Sequence, residues 1–157
     1  MSDYTPRGLH FEDIEIGLKV TSASRTISEA DIMLFAGLSG DWNPIHVDAE
    51  FAKQSLFGER VAHGLLGLSI ATGLAMQLGF LDHTVDAFTS LDWKFRGPIK
   101  IGDTIHMTAE ATKKKAMPGG AGGFVGFNIE VKNQRGETIQ RGEWMIVVKG
   151  KPKTSNG

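Results

Sequence analysis

Gly64-Leu65-Leu66-Gly67-Leu68-Ser69-Ile70-Ala71-Thr72-Gly73-Leu74-Ala75-Met76-Gln77-Leu78-Gly79-Phe80-Leu81 is apolar but for Ser69, Thr72 and Gln77. Its length approaches that of a membrane-spanning helix. Four glycines and the lack of a flanking cluster of Lys or Arg argue against insertion. A helix that is apolar on nearly all sides in a soluble chain is a central, enclosed one. The stretch is therefore expected to form such a helix, starting near His63 or Gly64.

Downstream of this run the pattern changes to period two. Leu91, Trp93 and Phe95 alternate with Asp92, Lys94 and Arg96 before Gly97-Pro98 breaks the run. Ile105, Met107, Ala109 and Ala111 alternate with polar residues, as do Val125, Phe127, Ile129 and Val131. A turn at Asn133 to Gly136 leads into a further strand from Ile139 to Val148, and Lys19 to Ile27 reads as an earlier one. Short connections between the late strands favour antiparallel pairing. Upstream, Ser28 with Asp31 three residues on forms a capping-box signature for a short helix carrying Ile32, Phe35 and Ala36 on one face, ended by Gly40. Asp48 is placed to cap another short helix through Lys53. One apolar helix and about five strands, each with one apolar face, pack most economically as an α+β domain with an antiparallel sheet wrapped around the helix.

At 157 residues the chain is the size of one domain. We expect it to span residues 1–150, with 151–157 as a flexible tail, and Pro118 to Gly123 to be a loop between strands. A net charge of -1 gives no reason to expect nucleic acid or an anionic membrane as partner. Absence of cysteine excludes disulfides and thiolate metal sites. The Met1 to Tyr4 start does not read as a signal peptide, so a cytoplasmic location is the expectation. The His and Asp spacings fit no zinc pattern, and no metal is expected.

Asp41-Trp42-Asn43-Pro44-Ile45-His46 sets a carboxylate and an imidazole five positions apart. On a regular helix they would point about 140° apart. Pro44 lacks a backbone donor and pushes Asn43 towards an extended conformation, so the segment is expected to be an irregular loop whose bend can aim both groups into one pocket. Each residue alone reads equally well as a turn former or a structural histidine. Gly64, at the start of the apolar helix, has an N–H without an intrahelical partner and no side chain to block approach. On these residues alone, tight helix–sheet packing is the better explanation.

Phe35 to His46, followed by Ala52, resembles the signature of the MaoC-like (R)-specific enoyl-CoA hydratases, the hydratase 2 family. Arg60-Val61-Ala62-His63-Gly64-Leu65-Leu66 is similar to the start of that family's central helix, and Leu91 to Pro98 with Gly102-Asp103 to its later strand and turn. The resemblance covers Phe11 to Val148 and implies the hot dog fold. It implies hydration of trans-2-enoyl-CoA to (R)-3-hydroxyacyl-CoA, or the reverse dehydration. Asp41 and His46 would be the acid–base pair, Gly64 the oxyanion donor, and Asn43 and Thr72 supporting residues. It further implies an acyl-CoA substrate with no other cofactor, and a homodimer or dimer of dimers. An acyl-CoA thioesterase and a non-catalytic acyl-thioester binding module are the alternatives. His63 adjoins this set but reads as a helix cap. Lys113 to Lys115, Lys94 and Arg96 are candidates to neutralise CoA phosphates, and Trp42 and Met76 to limit the pocket.

Overall fold

Period-two alternation becomes strand wherever one face can be covered. In the computed structural model, which describes residues 6–154, β4 (Thr104–Ala116) buries Ile105, Met107, Ala109 and Ala111. β5 (Gly122–Lys132) buries Val125, Phe127, Ile129 and Val131, and β6 (Thr138–Lys149) buries Ile139, Trp144, Ile146 and Val148. Each Val, Ile, Met or Phe among them contributes about 1.5–3 kcal/mol when removed from water. With β1 (Lys19–Thr21) and β3 (Val85–Phe95) these strands form one antiparallel sheet in the order β1-β4-β5-β6-β3. The Met1 to Tyr4 reading and the last three residues of the expected tail lie outside the described residues.

The early strand is two pieces, which raises the count from the expected five to six. β1 pairs with Glu110 to Thr108, and β2 (Arg25–Thr26) with Ile105 and Thr104. Between the two, four steps along one strand answer three along the other. The slip is spanned by Ser22, whose hydroxyl accepts from the Met107 N–H at 2.9 Å.

Among the described residues, three short α-helices precede the long one. In α1 (Glu29–Ser39) the Ser28 side chain accepts from the Asp31 N–H, and the Asp31 carboxylate accepts from the Ser28 N–H, completing the capping box. Gly40, at φ 77°, closes the helix in the left-handed region that glycine enters without cost. α2 (Pro44–Val47) is a single turn, and α3 (Ala49–Lys53) is capped by Asp48.

α4 (Gly64–Gln77) packs on the sheet and gives the hot dog arrangement. It differs from expectation in two respects. It stops at Gln77, because Gly79 turns the chain at φ 79°. It is also not enclosed: Leu66, Gly67, Ile70, Ala71, Leu74 and Ala75 are buried, whereas Leu65 is 59% and Met76 41% exposed. The same holds for β3, an edge strand paired only with β6 among the described residues. Of its expected apolar face, Leu91 and Phe95 are exposed, as is Phe88 before them, whereas Trp93 is partly buried against the core. One flank of the molecule thus carries an open strand edge beside an open helix face. No helix among the described residues is long and apolar enough to cross a membrane. Lys151, the first residue of the expected tail, is tied down: its N–H donates to Glu12 and its ammonium pairs with Asp13 at 2.6 Å.

Candidate active site

The segment carrying Asp41 and His46 is ordered by its own polar side chains. The Ser39 hydroxyl accepts from the Asp41 N–H, and Asp41 Oδ1 accepts from the Asn43 N–H at 3.2 Å. Asn43 stands at φ -53°, ψ 131°, the extended conformation that a following proline imposes. Its side chain caps the next turn by accepting from the Ile45 N–H. The expectation of a wholly irregular loop is corrected here. Pro44 occupies the first position of a helical turn, where its missing N–H costs nothing, and His46 rides on that turn.

The bend brings His46 Nε2 to 4.0 Å from Asp41 Oδ2. The His46 side chain is 12% exposed and held on several sides. Its Nδ1 lies 2.7 Å from the Val61 carbonyl, which can only accept, so Nδ1 carries the hydrogen and Nε2 is left facing the carboxylate. Arg60 donates through Nε to the His46 carbonyl and pairs with Glu29 of α1. The His63 ring stacks on the His46 ring at 3.8 Å between centroids and 26° between planes. Asp41 is more exposed, at 52% of its side chain, and reaches the site from the rim.

A cavity of about 520 Å³ opens beside this pair, lined by His46, Ile45, Phe57, Gly64, Leu65, Phe95 and Arg96 among others. Its wall is mainly apolar, and Arg96 is its one fully charged side chain. Gly64 is the first residue of α4, so its N–H is among those a helix leaves unpaired, at the positive end of the helix dipole. A Cβ there would lie 2.7 Å from the Phe95 ring, so close packing demands glycine as much as access to the amide does. His46 and Gly64 therefore line one cavity; Asp41 stands 4.0 Å from His46 but, like Asn43, is not part of that lining. Thr72 is not brought to them: its hydroxyl donates to the Ser69 carbonyl at 2.6 Å and it is not part of this lining.

One contributor went unread in the sequence, and two more were read without these contacts. Gln140, 1% exposed on β6, accepts from the Trp93 indole at 3.0 Å and donates to the Gly64 carbonyl at 3.0 Å. An indole N–H can only donate, which fixes the orientation of the amide. Gln140 thus ties the first residue of α4 to β3. Arg60 and His63 sit in the motif that was read, but their contacts with His46 and with the Asp41 carbonyl need the fold to appear. A run of alternating residues in β6 carries no signal that one polar member is buried.

Asp41, His46 and His63 each offer a ligand atom within 4.8 Å of the others. The two imidazoles are nearly parallel and stacked, so no nearby point lies in both ring planes, where their lone pairs are directed. The arrangement suits proton transfer better than metal binding.

Comparison with known proteins finds a match to the model of the MaoC like domain over residues 13–122. A protein of Rhodospirillum rubrum named (R)-specific enoyl-CoA hydratase is 40% identical over 104 residues, 66% of this chain and 69% of that one. The 3-hydroxybutyryl-CoA dehydratase of Methylorubrum extorquens is 36% identical over 108 residues, 68% of this chain and 66% of that one. Among solved structures, a protein from Archaeoglobus described as a monoamine oxidase regulatory protein superposes with a TM-score of 0.87 at 38% identity, covering 94% of this chain and 99% of that one.

Proposed function

Because the chain belongs to the MaoC-like domain family, we propose that it hydrates a trans-2-enoyl-CoA to the (R)-3-hydroxyacyl-CoA, or catalyses the reverse dehydration. The observation that carries this reading is the 4.0 Å separation of Asp41 Oδ2 and His46 Nε2, His46 itself lining a cavity with Gly64. A water making hydrogen bonds of about 2.8 Å to two acceptors spans about 4–4.5 Å between them. The pair is thus spaced to accept both hydrogens of one water and leave its oxygen lone pair free.

In an enoyl thioester the carbonyl makes the β-carbon electrophilic. As the water oxygen bonds to that carbon, one of its protons passes to the Asp41/His46 pair, and the π electrons move onto the thioester oxygen as an enolate. The Gly64 N–H, with the helix dipole behind it, stabilises that charge. The pair then returns a proton to the α-carbon. The water adds in full, with OH at one carbon and H at the other, so the reaction needs no cofactor. The apolar wall formed by Leu65 and Phe95 suits an acyl chain. Asn43 supports the pair by capping its turn. The uncovered β3 edge and the half-exposed Asp41 rim support a second copy of the chain as partner.

The test is incubation with trans-2-enoyl-CoAs of graded chain length, following loss of the enoyl absorbance, with chiral analysis of the product. Asp41→Asn and His46→Ala are expected to lower kcat about 10²–10⁴-fold with folding intact. Release of free thiol without hydration, or formation of the (S) product, overturns the assignment.

A further inference from the structure

We propose that His63 is a positioning residue for the Asp41/His46 pair, setting the separation between carboxylate and imidazole through its contacts with both; the role rests on the hydratase reading above. His63 is 2% exposed and occupies the cap position of α4, yet its side chain makes no cap hydrogen bond. The Leu66 N–H is satisfied by the His63 main-chain carbonyl at 3.0 Å, which leaves the ring free to turn away from its own helix. It turns to the loop that carries the pair.

Its Nε2 lies 2.8 Å from the Asp41 carbonyl. A carbonyl only accepts, so Nε2 holds the hydrogen and donates to the main chain of the residue whose carboxylate is to act. The flat of the same ring lies on His46. The Val61 contact fixes His46 within its plane at Nδ1, and the stack fixes it out of plane. Behind His63 stands Phe35 of α1, 4.9 Å away between centroids and tilted by 58°, so the ring cannot retreat. The Asp41 carboxylate has a weak hold of its own, a single 3.2 Å bond from the Asn43 N–H. Among the described residues, His63 is the side chain that grips the main chain of one member of the pair and the ring of the other. Gly64 follows it directly in the chain, so the same anchor locates the proposed oxyanion donor. A residue that merely fills space would need neither the donor nor the stack.

The experiment dissects the two contacts. His63→Ala removes both, His63→Gln can retain the donor to the Asp41 carbonyl, and His63→Phe can retain the stacked ring. Hydratase kinetics and thermal unfolding are measured for each, alone and combined with Asp41→Asn. We expect His63→Ala to lower kcat about ten- to a hundredfold with KM nearly unchanged, the scale on which small misplacements act. The Gln and Phe variants each recover part of the loss. In the Asp41→Asn background the same substitutions cost little more, because the group they position is already gone. Losses that simply multiply across the two backgrounds, or that follow unfolding, overturn the proposal. Should the wild-type protein hydrate no enoyl-CoA, the hydratase reading fails by itself, and nitrogen-15 NMR of the imidazoles decides the positioning claim. His46 is then expected in the single Nδ1–H form in the wild type and as a tautomer mixture in His63→Gln, which lacks the stack, with His63→Phe closer to the wild type. A His46 spectrum indifferent to residue 63 overturns it.

Discussion

Gly64 carries two readings, a packing role against Phe95 and the proposed oxyanion role, and the two can be separated. An added methyl would meet the Phe95 ring at 2.7 Å, which forces a shift of ring or helix costing about 1–3 kcal/mol. The same methyl would stand beside the N–H assigned to the enolate oxygen. Gly64→Ala is therefore expected to lower both melting temperature and kcat, while Gly64→Ala with Phe95→Leu regains stability and not kcat. Recovery of both together would reduce Gly64 to a packing residue. Gln140 offers a complementary test. Gln140→Leu leaves the Trp93 indole and the Gly64 carbonyl without their buried partner, which should cost about 1–3 kcal/mol for each group in denaturant unfolding. The spacing of Asp41 and His46 about Pro44 made them candidates in the sequence, and the family resemblance, not the spacing, singled out the pair together with Asn43. Gln140 could not be picked out, because a buried and an exposed glutamine look alike in an alternating strand.

At the scale of elements, caps were the most legible features. Ser28 with Asp31, Asp48 and Gly40 each act on backbone groups within four residues, so their effect needs no knowledge of the fold. The Asp31 carboxyl is opposed by burial, which raises its pKa, but bonds from the Ser28 N–H and hydroxyl and the nearby Arg25 outweigh that and hold it below the ordinary carboxylate range. A depressed folded-state pKa gives stability that is fully present above the unfolded value and lost as pH falls through the folded one. Thermal unfolding should accordingly show Asp31→Asn less stable than the parent at pH 7, with the gap closing as the pH falls below the usual carboxylate range. A gap independent of pH would assign the effect to the neutral hydrogen bonds alone. Strand ends were less legible. β3 begins at Val85, six residues before the alternation at Leu91, because β6 supplies hydrogen bonds along that whole length.

For the whole molecule, the open flank is the feature the sequence could not announce. Leu91 and Phe95 on the β3 edge, with Leu65 and Met76 on α4, are exposed although their pattern reads as core, and Phe88 is exposed beside them. Pairing through that flank would continue the sheet into a second copy and cover the rim where Asp41 stands. Sedimentation should find the wild-type protein as a dimer or larger, and the double substitution Phe88→Lys and Leu91→Lys should shift it towards monomer with loss of hydration. A monomeric wild type that is fully active would refute the pairing.

Composition and periodicity alone determined the α+β class, the antiparallel sheet, the single long helix and the segment in which a carboxylate and an imidazole lie close in the chain. These follow from which faces are apolar and which backbone torsions proline and glycine allow, both local properties of the chain. Only the tertiary structure decided that α4 and β3 are half uncovered, that Thr72 bonds to its own helix, that His63 touches both Asp41 and His46, and that Gln140 bonds to the Gly64 carbonyl. Those depend on which groups meet across long stretches of chain, and spacing along a sequence carries no measure of distance once the backbone has folded back on itself.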